Sequence, residues 1–153
     1  MSDNANDEPH AGPAKNTFGY VLDEQIGYLL RKAYQRNVMI FSEKMQSGLT
    51  PTQFAVMARL SELGSVSQNQ LGRHAGLDVA TTKGVVDRLR ARGLVDTARD
   101  PNDRRRQIIS LSEEGLEHFR RNAKTGLEIS AETMSPLSDA ERRTLEKLLK
   151  KLQ

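Results

Sequence analysis

Residues 99–115, Arg99-Asp-Pro-Asn-Asp-Arg-Arg-Arg-Gln-Ile-Ile-Ser-Leu-Ser-Glu-Glu-Gly115, set turn formers and four arginines between two short runs that favour extended chain. Pro101, Asn102 and Asp103 favour a turn; Leu94-Val95 precede it, Ile108-Ile109-Ser110-Leu111 follow it, and a helix start stands at Ser112. The pattern predicts a hairpin with a basic tip. A hairpin this short buries little by itself, so the arginines at its tip are badly placed to hold a core and well placed to meet phosphate. The competing reading is a solvated loop, and the sequence on the N-terminal side decides between them.

Ser67-Gln-Asn-Gln70 has the form of a capping box, which predicts a short helix through Leu71 and Ala75. Gly76-Leu77 then predict a tight turn. Asp78 can cap a second helix, Val79 to Arg92, in which Val85, Val86 and Leu89 share one face while Thr81, Lys83, Asp87, Arg88 and Arg90 point largely elsewhere, and Gly93 closes it. Helix, glycine-containing turn, helix and basic hairpin, in that order, make a winged helix-turn-helix: the second helix enters the major groove and the hairpin reaches the flanking backbone or minor groove. Thr81, Thr82 and Lys83, near the start of the second helix, are the expected base readers, and Ser67 and Gln68 stand nearer phosphate.

On these residues the chain resembles the MarR-type transcriptional regulators. The matching segments are Leu49-Thr50-Pro-Thr-Gln53-Phe54, Gln70-Leu71, Val85-Val86-Asp87-Arg88-Leu89, Arg92-Gly93-Leu94-Val95, and the wing Asp103-Arg104-Arg105 with Leu111-Ser112-Glu-Glu-Gly115, and the likeness spans roughly residues 20 to 153. Ser112 stands where the family usually has Thr, which also caps, and Lys83-Gly84 stand where a Thr-Arg pair is common. Gly84 inside a helix costs about 1 kcal/mol relative to Ala and is read as a mark of close packing or close approach to DNA. The resemblance implies a mainly α fold with a small β wing, terminal helices that interlock with those of a second subunit, and an inverted-repeat operator in double-stranded DNA. It also implies that Arg105 enters the minor groove, with Asp103 orienting it or tying the wing down. Arg104 and Arg106 alternate outward toward phosphate, and Arg88 and Arg99 complete the expected DNA-binding set.

Composition bounds the rest. The chain has 153 residues, 37% of them hydrophobic, and a formal charge of only +3, yet residues 73–106 hold nine Lys/Arg against five Asp/Glu. Basic character therefore acts through its placement. The chain has no cysteine, which excludes disulfides and thiol-based redox sensing. The polar N-terminus, with no signal peptide or spanning run, predicts a cytoplasmic protein with no membrane partner.

Four segments are expected: residues 1–19 as a flexible arm, 20–48 as a dimerisation helix, 49–111 as the winged helix-turn-helix, and 112–153 as C-terminal dimerisation helices. Leu22, Ile26, Leu29, Leu30, Ala33, Ile40 and Phe41 recur at helical spacing in a first helix of about six turns. Leu116, Phe119, Ala123, Leu127 and Met134 form a second stripe, and Leu145, Leu148, Leu149 and Leu152 a third, behind a capping box at Ser138-Asp-Ala-Glu141. Packing within one chain is the alternative; a homodimer is the expectation, because so small a central module offers little to cover these stripes.

Catalysis finds little support. His10, His74 and His118 fall in separate segments, with no metalloprotease helix, phosphate loop or nucleophile elbow, and no cofactor or metal is expected. Glu113-Glu114 sit in the first turn of a helix, where they complement its dipole. The reading is a ligand-responsive regulator, a repressor, and not an enzyme. The resemblance places an effector pocket where the dimer helices meet the reader and implies small aromatic acids and phenols as effectors. The candidate residues are Tyr20, Tyr28 and Arg31 on the first helix, Phe54 and Met57 on the second, and His10 on the arm. A guanidinium beside two phenols suits a carboxylate, and the stretch from Tyr20 to Gln35 resembles regulators of aromatic and nicotinate breakdown, so 6-hydroxynicotinate is the named effector class. A non-sensing architectural DNA binder and a helical protein-interaction scaffold are the alternatives; a mobility shift with unrelated competitor DNA separates them.

Overall fold

The computed structural model describes residues 18–153 and divides the chain into two units, residues 1–34 and 35–153. His10 and the expected arm up to residue 17 lie outside the described residues.

In the first unit, a 3-10 turn at Leu22–Glu24 precedes α1 (Ile26–Lys44), whose first residues belong here. Gln25 closes the turn: its backbone N–H donates to the Leu22 carbonyl (3.0 Å) and its side-chain amide to the Val21 carbonyl (2.8 Å). The expected six-turn helix is thus corrected to 19 residues, about five turns, with Tyr20 and Leu22 ahead of it. Ile26, Leu29 and Leu30 are exposed.

The second unit holds the rest of α1, then α2 (Pro51–Leu63), β1 (Val66–Ser67), α3 (Gln68–Ala75), α4 (Val79–Ala91), β2 (Val95–Arg99), β3 (Gln107–Leu111), α5 (Glu113–Thr133) and α6 (Asp139–Lys150). The hairpin gains a third strand that the sequence did not predict. The sheet runs β1-β3-β2, all antiparallel, with Val66 opposite Ile109 and Val95 opposite Leu111. Val95 and Ile109 are buried near the base of the hairpin, while Arg99 and Gln107, on the same face of their strands but nearer the tip, extend past the core and face solvent.

Three helices and the sheet close one core. Val56, Met57 and Leu60 from α2, Leu71 from α3, Val85, Val86 and Leu89 from α4, and Leu94, Val95 and Ile109 around the wing are all buried. Each such side chain stabilises the module by about 1.5–3 kcal/mol relative to leaving it in water. A smaller cluster joins Ile40, Phe41 and Met45 to Ile129 of α5, with Phe54 packed against it. The Phe54 ring sits 6.1 Å from that of Phe41 and 5.4 Å from that of Phe119.

Polar contacts fasten the C-terminal end of α5 to α1. The Arg36 guanidinium donates to the carbonyls of Thr133 (3.1 Å) and Glu132 (3.0 Å), among the last of α5, and Lys44 pairs with Glu132 at 2.8 Å. α6 starts from the expected capping box, Ser138 with Glu141, yet contains no buried residue. Among the described residues no helix is long and apolar enough to cross a membrane.

Candidate nucleic-acid interface

α3 begins where Ser67 turns out of β1. Its hydroxyl accepts from the Gln70 N–H (3.3 Å) and donates to Gln70 Oε1 (2.8 Å), which also accepts from the Ser67 N–H (3.1 Å). The box is as the sequence predicted, but Ser67 is only 4% exposed, so the expectation that it meets phosphate is corrected: its hydroxyl is committed to the cap. Gln68 and Asn69 of the first turn reach the surface instead.

The turn between the two helices needs its glycine. Gly76 has φ +66°, a left-handed conformation that lets Leu77 N–H return to the Gly72 carbonyl (2.9 Å) and aims α4 away from α3. Gly72 allows the crossing itself, since a Cβ there would lie 2.7 Å from the Thr82 hydroxyl.

Asp78 caps α4 with both carboxylate oxygens: Oδ1 accepts from the Thr81 N–H (2.8 Å) and Oδ2 from the Thr81 hydroxyl (2.7 Å). Those hydrogen bonds to the charged form hold the Asp78 carboxyl below its ordinary range. Thr82 departs from its predicted role. It is 1% exposed and its hydroxyl donates to the Asp78 carbonyl (2.7 Å), so it faces the α3 contact and offers nothing to a base edge.

Lys83 does project outward, and its ammonium meets Asp87 at 2.7 Å, one helical turn on. Asp87 also faces Arg90 at 3.6 Å; the Lys83 hydrogen bond is the chief reason its carboxyl sits below the usual range. Arg88 is exposed. Around Gly84 an added Cβ would find nothing within 4 Å, which removes close packing inside the chain as its reason.

The wing tip is organised by two aspartates. Asp103 Oδ1 accepts from the Arg105 N–H (3.0 Å), the Asp103 carbonyl accepts from the Arg106 N–H (2.9 Å), and Asp100 Oδ1 accepts from the Asn102 N–H (2.8 Å). Asp103 therefore places Arg105 through the backbone, as an Asx-turn does. Arg99, Arg104, Arg105 and Arg106 are all exposed.

The strand pairing β1-β3 brings this tip beside the start of α3. Ser67, Gln68, Asn69, Arg105, Arg106 and Gln107 line a cleft of about 200 Å³. A second depression, about 290 Å³, runs between α3 and α4 past Asn69, Arg73, Leu77 and Val79. Asn69, Arg73, Gln107 and Val79 were not singled out from the sequence. For Asn69 and Val79 a signal existed, since both sit in the first turn of a reader helix; Gln107 depends on the strand register.

The predicted effector residues divide. Met57 is fully buried in the core of the reader, so its assignment to a ligand site is corrected to packing. Phe54 is half-buried and, with Asn37, Phe41, Gly126 and Ile129, borders a cavity of about 170 Å³ in the second unit. In the first unit the Arg31 guanidinium lies 5.4 Å over the centre of the Tyr28 ring, a cation–π pair, and both keep surface exposure. Tyr20 is exposed and precedes α1. His118 is half-buried, its pKa lowered first by burial and then by Arg92 and Arg121. Among the described residues no group of three or more His, Asp or Glu is arranged to hold a metal ion.

A helix-turn-helix with a three-stranded basic wing defines a winged-helix DNA-binding protein. The MarR family model matches residues 49–106. The HTH-type transcriptional repressor NicR of Pseudomonas putida is 39% identical over 145 residues, covering 94% of this chain and 91% of that protein. The crystal structure of a probable transcriptional regulator from Pseudomonas aeruginosa superposes with a TM-score of 0.84 at 45% identity, over 87% of this chain and all of the other. Bordetella bronchiseptica BpsR, described for the regulation of its DNA binding by 6-hydroxynicotinic acid, superposes at 0.83 with 36% identity, over 87% of this chain and 96% of its own. The chain belongs to the MarR family of DNA-binding transcriptional regulators.

Proposed function

We propose that this protein is a homodimeric repressor that binds an inverted-repeat operator and leaves it when a small aromatic acid of the 6-hydroxynicotinate kind binds. The observation that carries the DNA half is the single cleft shared by Arg105, Arg106, Gln68 and Asn69, which sets cations for phosphate beside amides for base edges. Two copies related by a two-fold axis require two half-sites, with centres about one helical turn, roughly 10 base pairs, apart. The effector half is supported by the likeness to BpsR over 87% of this chain, and the repressor reading by the likeness to NicR.

Arg31 is assigned to the effector carboxylate, with Tyr28 holding the guanidinium in place. The ligand shifts the equilibrium only by its difference in affinity for the DNA-competent and DNA-incompetent arrangements, so a coupling of about 1–3 kcal/mol gives roughly 5- to 150-fold release. Fluorescence anisotropy on the promoter DNA upstream of the gene, titrated with 6-hydroxynicotinate and hydroxybenzoates, tests this. Arg31→Ala is expected to lose the response while keeping operator affinity, and Phe54→Ala reports separately on the second unit. A binder that leaves operator affinity unchanged, or no binder in the panel, defeats the sensing half.

A further inference from the structure

The polar groups at the start of α4 are engaged within the free chain. Both Asp78 oxygens hold Thr81, the Thr82 hydroxyl is buried on the Asp78 carbonyl, and the Lys83 ammonium is on Asp87. What the tip of the helix presents instead is apolar. Val79, the first residue of α4, is 69% exposed, and Ala80 beside it is also exposed. The Val79 side chain forms the lip of the depression that Gln68, Asn69 and Arg73 border.

A recognition helix enters the major groove by its N-terminal residues, and the apolar group that groove displays on a base edge is the 5-methyl of thymine. Gln68 and Asn69, close by on α3, carry the amides that pair two-fold with adenine, so an A·T pair satisfies both walls of the depression. We propose that Val79 is a specificity-determining residue, selecting a thymine in each half-site by packing its isopropyl group against the 5-methyl. The inference rests on the DNA-binding reading and adds to it the base that α4 reads and the chemical group by which it is read.

The test starts from an operator recovered out of a random duplex pool by repeated selection with the 153-residue chain. Each thymine of one half-site is then replaced by deoxyuridine, which removes the methyl and keeps every hydrogen bond. At one position the wild type should bind about fourfold more weakly, the scale of one buried carbon. Val79→Ser should bind the two duplexes alike, with an unchanged melting temperature because the side chain is exposed. The proposal is overturned if no position weakens wild-type binding by more than about twofold, or if Val79→Ser keeps the penalty. A wild type that retains no duplex above unrelated DNA overturns the DNA-binding reading itself, an outcome separate from the other two.

Discussion

The reader module and α6 use the same materials and end in opposite environments. α3 starts from a Ser67–Gln70 capping box and α6 from a Ser138–Glu141 box, and the reader places a leucine on each of α2, α3 and α4 where α6 carries Leu145, Leu148 and Leu149. Leu60, Leu71 and Leu89 are at most 1% exposed, whereas Leu148 of α6 and Leu152 just beyond its end are 52% and 71% exposed. A cap and a periodic stripe are local devices that specify a helix wherever it lies. Burial depends on what stands opposite, and the reader supplies this from three helices and a sheet within one chain. The exposed leucines of α6, and Leu127 of α5 at 74%, are those that the proposed second copy would cover.

The sharpest way to break this contrast is to damage each side in turn. Leu89→Ala should lower the stability of the reader by about 2–5 kcal/mol, because the site is closed on every side and a cavity remains. Leu148→Asp should leave the unfolding of the reader in place and abolish the dependence of the melting temperature on protein concentration. Denaturant unfolding at several concentrations reads both; equal losses from the two variants would mean that α6 belongs to the core of a single chain.

Next in size come the wing arginines. Arg105→Ala should cost about 1–3 kcal/mol of operator binding, since Asp103 fixes the backbone at that residue and aims it. Arg104→Ala should weaken all duplexes alike and reduce the salt slope by about 1, the mark of one lost phosphate contact. Titrations at three salt concentrations distinguish them.

A smaller effect with a pH signature is expected at Asp78. Its carboxyl is held below the ordinary range by Thr81, so the stability it contributes is complete above the unfolded-chain value of about 4 and is lost as pH falls through the lower folded value. Asp78→Ala should therefore be less stable than wild type at neutral pH, with the difference closing in acid. Urea midpoints across a pH series check the sign. The smallest change is Gly84→Ala, expected to stabilise α4 by up to about 1 kcal/mol because nothing occupies the space around it. If that variant gains stability and loses operator affinity, the glycine serves approach to DNA.

Much of the reader was legible because its signals are local. Ser67, Asp78, Ser112 and Ser138 each cap the helix assigned to them, through bonds to residues three positions on. Thr82, expected at a base edge from its nearness to the helix start, is buried instead, because its spacing to Val85, Val86 and Leu89 puts it on the apolar face. β1 escaped because two residues carry no alternation, and its pairing with β3 joins positions more than forty apart. The contacts of Arg92 with the Ser47 and Gly48 carbonyls, which tie the end of α4 to the loop before α2, were hidden for the same reason. Tyr20 precedes the first helix rather than standing on it, because the 3-10 turn at Leu22–Glu24 leaves no mark in the apolar periodicity.

The central claim is that the reader is complete in one chain while the terminal helices act only as a pair. Sedimentation of the 153-residue chain with a fluorescent operator duplex, at micromolar protein, measures it directly. The account predicts two chains per duplex with two-fold symmetric protection of the DNA, and a dimer of the free protein at the same concentration. One chain per duplex, with a monomeric free protein, would contradict it.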